Sequence, residues 1–176
     1  MHMSFAFRAA ALAGFAILAG CQSSTPPADL SANPVPSAAE GRIPEYCPRV
    51  SLREGTAVLT KKAGEDVVYV ASITDSSREC HVVNGQLMMK VGIAGRVMPG
   101  PAAKSGTIQL PIRVALVSGS DVLYSQLSQQ SVSVSAGGGA VQFVYVDDRV
   151  VVPEPPARTY AVYAGFDEGP APKAKR

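Results

Sequence analysis

Between residues 45 and 166 the apolar positions recur at every second residue. Ile108, Leu110, Ile112, Val114 and Leu116 alternate with Gln109, Pro111, Arg113 and Ala115. Leu87, Met89, Val91 and Ile93 repeat the pattern, with Met88, Lys90, Gly92 and Ala94 on the other side. In an extended chain successive side chains point to opposite faces, so a period of two predicts half-buried strands rather than helix faces. Residues 67–74, 132–134, 141–146 and 160–166 are likewise rich in β-branched and aromatic side chains, which fit a pleated surface. Asn84-Gly85, set between two apolar runs, predicts a two-residue hairpin, since both residues tolerate positive φ. Ser118-Gly119-Ser120-Asp121 predicts a second turn and residues 136–140 a third. Asp147-Asp148 reads either as a fourth turn at the surface or as a bulged, charged point in one long strand, and the surface turn is the simpler reading. Pro111 has no N–H to give to a ladder, which predicts an edge strand or a bulge there.

About eight strands separated by turns imply two packed antiparallel sheets. The fold class expected is all-β, an immunoglobulin-like antiparallel β-sandwich, with a small closed barrel as the competing closure. The chain has no Trp, which departs from the pattern of true immunoglobulin domains.

The composition changes on both sides of this body. Residues 21–44 are dominated by Ser, Pro, Ala, Asn and Thr, too poor in large apolar groups to offset the entropy of ordering, and they are expected to form a disordered tether. Residues 167–176, ending Lys173-Ala174-Lys175-Arg176, are expected to form a short disordered tail. The body between them, residues 45–166, carries eleven Lys and Arg against ten Asp and Glu. The whole chain of 176 residues has a net charge of +2. That near balance, without a clustered basic face, argues against nucleic acid as a partner.

The first twenty residues read as an export signal. Arg8 supplies a positive charge, residues 9–19 are apolar and uncharged, and the run ends in small residues. Eleven helical residues span only about 16 Å, roughly half of a bilayer core, which excludes this run as a spanning helix. Leu18-Ala19-Gly20-Cys21 resembles the lipobox of bacterial lipoproteins. The resemblance implies cleavage before Cys21, a diacylglyceryl thioether on its sulfur, and membrane lipid as a partner through Cys21. Two or more acyl chains anchor stably, where one does so only marginally. Gln22 stands where an Asp would, in that family, often signal retention in the inner membrane, so the implied address is the outer membrane.

With Cys21 assigned to lipid, Cys47 and Cys80 remain, an even pair in a compartment where disulfides persist. A bond between them is expected to pin the entry of the body to its second hairpin.

Candidate chemistry is sparse. His81 is the only histidine after the signal segment, and no Gly-x-Ser-x-Gly elbow accompanies it. His81, Cys80, Met88, Met89 and Met98 supply soft copper-ligand types but no recognisable spacing, and core packing is the simpler role for the methionines. Gly137-Gly138-Gly139 lacks the following helix and the Lys-Ser/Thr ending of a phosphate cradle. Tyr145, Tyr160 and Tyr163 are candidates for an aromatic binding face, or for core. No catalytic residue, metal site or cofactor is therefore expected. The reading is a non-catalytic binding or assembly module of the cell envelope, with an envelope protein or cell-wall polymer as partner. The alternatives are an accessory subunit of an envelope transport or biogenesis complex and, less well supported, a hydrolase or metal-dependent enzyme centred on His81.

Overall fold

The computed structural model describes residues 41–169. The signal segment, Cys21 and most of the expected tether and tail lie outside the described residues. Eight strands follow one another, β1 (Val50–Leu52), β2 (Val58–Ala63), β3 (Asp66–Val83), β4 (Gln86–Pro99), β5 (Gly106–Ser118), β6 (Asp121–Val134), β7 (Val141–Pro153) and β8 (Tyr160–Phe166). They form two four-stranded sheets in the orders β2-β3-β4-β7 and β1-β8-β5-β6. All neighbours are antiparallel except β1, which runs parallel to β8. The closure is therefore a sandwich of two separate sheets, not a barrel, and the described residues contain no helix.

The alternation that predicts the strands also builds the core. Leu110, Ile112, Val114 and Leu116 of β5 face Leu87, Met89, Val91 and Ile93 of β4 across the sandwich, all of them buried. Each such side chain contributes roughly 1.5–3 kcal/mol through the apolar area it removes from water. Gly95 of β4 sits on the same inward face. A Cβ there would lie 2.5 Å from both Cζ of Phe143 and the carbonyl oxygen of Ser72. The missing side chain lets Phe143 lie flat on β4 and meet Phe166 of the opposite sheet, with ring centroids 6.3 Å apart and planes tilted by 53°.

The turns fall where the sequence places them. Asn84 and Gly85 adopt φ of 50° and 73°, as a tight β3–β4 hairpin requires, and Gly119 adopts 58° between β5 and β6. Residues 135–140 are not a hairpin within one sheet but the crossing from β6 to β7, from one sheet to the other.

Three expectations are corrected. Pro111 lies on β5, an interior strand between β8 and β6. It is tolerated because β8 ends opposite Ile112, so the absent N–H points beyond the last rung, where the Pro111 carbonyl accepts a bond from the N–H of Asp167 at 3.0 Å. Asp147-Asp148 is no surface turn but the alternative reading, a bulged, charged point in one long strand. Both residues are in β7, where Asp148 and Arg149 together oppose the single residue Lys90 in a β-bulge, and Asp147 is fully buried. Finally, β6 spans fourteen residues, far more than the segment 132–134 that apolar content marks.

Contacts to the sandwich extend slightly past residues 45 and 166. Arg42 forms a bridge with Val82, and Asp167 and Glu168 form ion pairs with Arg113 and Lys61.

Candidate functional site

The two long flanks of the sandwich differ. On one, the outer edge of β3 is covered along its length. β2 pairs with its first half, and residues 42–47 run beside its second half. Arg42 and Val82 exchange backbone hydrogen bonds at 3.0 and 2.8 Å, and the Arg42 guanidinium clasps both carboxylate oxygens of Glu154. Cys47 and Cys80 form a disulfide with Cα atoms 5.8 Å apart, the pairing that the cysteine count predicts. Tyr46 donates its hydroxyl proton to the Tyr160 carbonyl at 2.8 Å, and Arg158 stacks over its ring. On the same flank, β8 is capped by β1 and by the carbonyl of Thr56, which accepts from the Phe166 N–H.

The opposite flank is open. β6 and β7 are the last strands of their sheets, fourteen and thirteen residues long, and among the described residues no strand pairs with their outer edges. Natural sheets blunt such edges with charges, above all lysine. Here residues 122–146, the whole of β6 after Asp121 and the first half of β7, contain no Asp, Glu, Lys, Arg or His. Of the eleven large apolar residues exposed among the described residues, five lie on these two strands: Val122, Leu123, Val144, Val146 and Val151. Val144 and Val146 are 65% and 50% exposed.

The seam between the two open edges is polar and closed. Asp147 Oδ2 accepts from the Tyr124 hydroxyl at 2.8 Å, and Oδ1 accepts from Arg149 Nε at 2.9 Å and from the Arg149 backbone N–H at 3.2 Å. The Arg149 guanidinium also donates to Ser128 Oγ, as does the Tyr145 hydroxyl, both at 3.0 Å. A buried carboxylate is costly unless paired and fully hydrogen-bonded, and this one is both. Partial burial, followed by its bond to Asp147, pushes the Tyr124 phenol well above its ordinary range. A phenol held in that state is a donor to Asp147, not a base. The network thus sews β6 to β7 and leaves their outer edges untouched.

The outer face of the β1-β8-β5-β6 sheet bears a groove of about 640 Å³ floored by Ala115, Val117 and Tyr163 and rimmed by Arg53, Arg113 and Asp167. Arg113 donates to Asp167 Oδ2 at 2.5 Å and to Ser125 Oγ at 3.0 Å. That guanidinium, with a further bond from the Gly169 N–H, holds the Asp167 carboxyl below its ordinary range. The cation is thereby neutralised, so the groove offers mixed apolar and polar contact without a free charge at its centre.

The structure separates the residues that sequence reasoning groups around His81. His81 and Met88 are cross-strand partners on the outer face of the β2-β3-β4-β7 sheet. Met89 points into the core, Cys80 is in the disulfide, and Met98 lies at the far end of β4, opposite Val70. Glu79 approaches His81 Nε2 at 2.9 Å, an orienting acid that sequence spacing does not reveal, but the shallow pocket around them is lined by no serine, threonine or cysteine. Among the described residues no three His, Cys, Asp or Glu side chains are grouped to hold a metal ion. Of the three tyrosines proposed for a binding face, Tyr145 and Tyr160 are buried, and Tyr163 alone is exposed, in the groove. The polar network around Asp147 and the uncharged stretch of the two edges are what sequence reasoning misses. The 25-residue gap in charge is the signal that marks the edges.

Comparison with protein-family models, with curated proteins and with solved structures finds no match for this chain.

Proposed function

We propose that this chain is an outer-membrane-anchored periplasmic lipoprotein whose sandwich is a non-catalytic binding or assembly module of the cell envelope. Leu18-Ala19-Gly20-Cys21 supports the anchor, and the Cys47–Cys80 disulfide suits an oxidising compartment. The observation that carries the binding role is the open flank, two long strand edges uncharged from residue 122 to 146, where the other flank ends in the short strands β1 and β2. An exposed edge offers a row of unpaired N–H and C=O groups, and strand addition to such an edge combines main-chain affinity with side-chain selectivity. A second reading, an accessory subunit of an envelope transport or biogenesis complex, is favoured by the presence of two such edges side by side. Together they suit a module held between neighbours.

Site-specific photo-crosslinking in the full chain, in bacteria, tests the reading. A crosslinking residue in place of Leu127 on β6 or Val144 on β7 is expected to give discrete protein adducts in the outer-membrane fraction. The same residue in place of Lys62, on the short, lysine-bearing edge strand β2, is expected to give none. Silence at both open edges would contradict the docking role. His81→Ala should leave the adducts and the biological activity of the gene unchanged, and loss of that activity in a normally folded variant would revive the enzyme reading.

A further inference from the structure

The direction of each backbone group on β6 follows from Pro111. Its carbonyl bonds Asp167 on the β8 side of β5, and in an antiparallel ladder a residue's N–H and C=O point the same way. Gln129, paired with Pro111, therefore takes no ladder bond from β5, and the alternation places residues 125, 127, 129, 131 and 133 with their backbone groups on the free edge. Two side chains of the same strand sit on that edge. The Gln126 amide donates to the Leu127 carbonyl at 2.8 Å and the Gln130 amide to the Ser131 carbonyl at 3.1 Å. They are the bonds an incoming strand would make, held by groups that a rotamer change releases.

Charge identifies the incoming strand. When a strand pairs antiparallel with its own copy, the residues at its centre meet themselves across a two-fold axis, so a central charge repels its own image. β7 carries exposed Asp148 near its middle and is bulged there. β6 has no charge from residue 122 to 134, and past its bulge at Leu123 it runs regularly to its end. No register centred within residues 122–134 of β6 sets like charges opposite one another. The register centred on Gln129 overlaps residues 124–134 of both copies and engages all five free residues of each. A two-fold contact also closes, where pairing β6 on β7 of the next copy would run on into a filament.

We propose that β6 pairs antiparallel with β6 of a second copy of this chain, centred on Gln129, and joins two four-stranded sheets into one of eight strands. The proposal rests on the docking reading above. Anchoring in a membrane favours it, because confinement raises the effective concentration of one copy around another.

The test uses the full chain extracted from membranes in detergent. Light scattering is expected to give a dimer. Gln129→Cys, treated with a short thiol crosslinker, should yield a covalent dimer, and Lys62→Cys should not. Gln129→Pro removes an N–H that the fold does not use, so it should weaken dimerisation on the order of tenfold or more while circular dichroism stays that of the parent. Leu127→Lys, a charge beside the axis, should do the same without altering the backbone. A dimer that survives both substitutions, or a monomeric parent with no crosslink at position 129, overturns self-pairing. If the photo-crosslinker at Leu127 still captures a different envelope protein in that case, the docking reading stands and only self-pairing falls. If neither Leu127 nor Val144 captures anything, both fall.

Discussion

Asp147 has no exposed surface, yet it sits in the open half of the molecule, and every bond to it comes from β6 or β7. Tyr124→Phe removes the one donor to Oδ2 and leaves that oxygen buried without a partner, at a cost of about 1–3 kcal/mol. Urea denaturation should show a lower midpoint with an unchanged slope, and an unchanged midpoint would mean that the seam does not depend on this bond. Sequence reading misses the residue for a definable reason. Two adjacent acids resemble a turn, whereas in the strand Asp147 continues the inward alternation of Phe143 and Tyr145, Asp148 stays in solvent, and the bulge opposite Lys90 returns Val150 and Val152 to the inward face. The same limit applies to His81 and Glu79. Their side chains are neighbours two residues apart on one strand face, which a search for distant triad partners does not consider.

At the scale of elements, legibility follows burial. β4 and β5 are readable because one face of each is completely apolar, and period two then dictates the strand and its inward side. β6 is readable only at its end. Its inward positions from 124 to 130 are Tyr, Gln, Ser and Gln, and the seam to β7 there is filled by hydrogen bonds instead of aliphatic side chains. The disulfide is legible from counting alone, since two cysteines remain once one is assigned to lipid. Its mechanical role, holding residues 42–47 along the edge of β3, is not. Closing a loop over a separation of 33 residues stabilises by roughly 3–4 kcal/mol on chain-entropy grounds. The double variant Cys47→Ser/Cys80→Ser should lose about that much in denaturant unfolding. It should also show faster hydrogen exchange at Val82 than at Ile112, whose rungs are flanked by strands on both sides. Equal protection at the two sites would mean that residues 42–47 stay in place without the bond.

For the whole molecule, the number of strands and the sandwich class are legible in the pattern of turns, but the order of strands within the sheets is not, because periodicity carries no information about which strands pair. That order decides the functional argument. It puts β1, β2 and the disulfide-tied entry on one flank, and the two longest unguarded edges on the other. One flank of the sandwich thus ends in the short strands β1 and β2, and the other in the long edges of β6 and β7. The most direct test of the account is growth of cells making the full chain with radiolabelled palmitate, followed by fractionation. The account predicts label on the wild-type protein in the outer membrane, with Cys21→Ser unlabelled and released to the soluble periplasm. A wild-type chain that carries no label would contradict it.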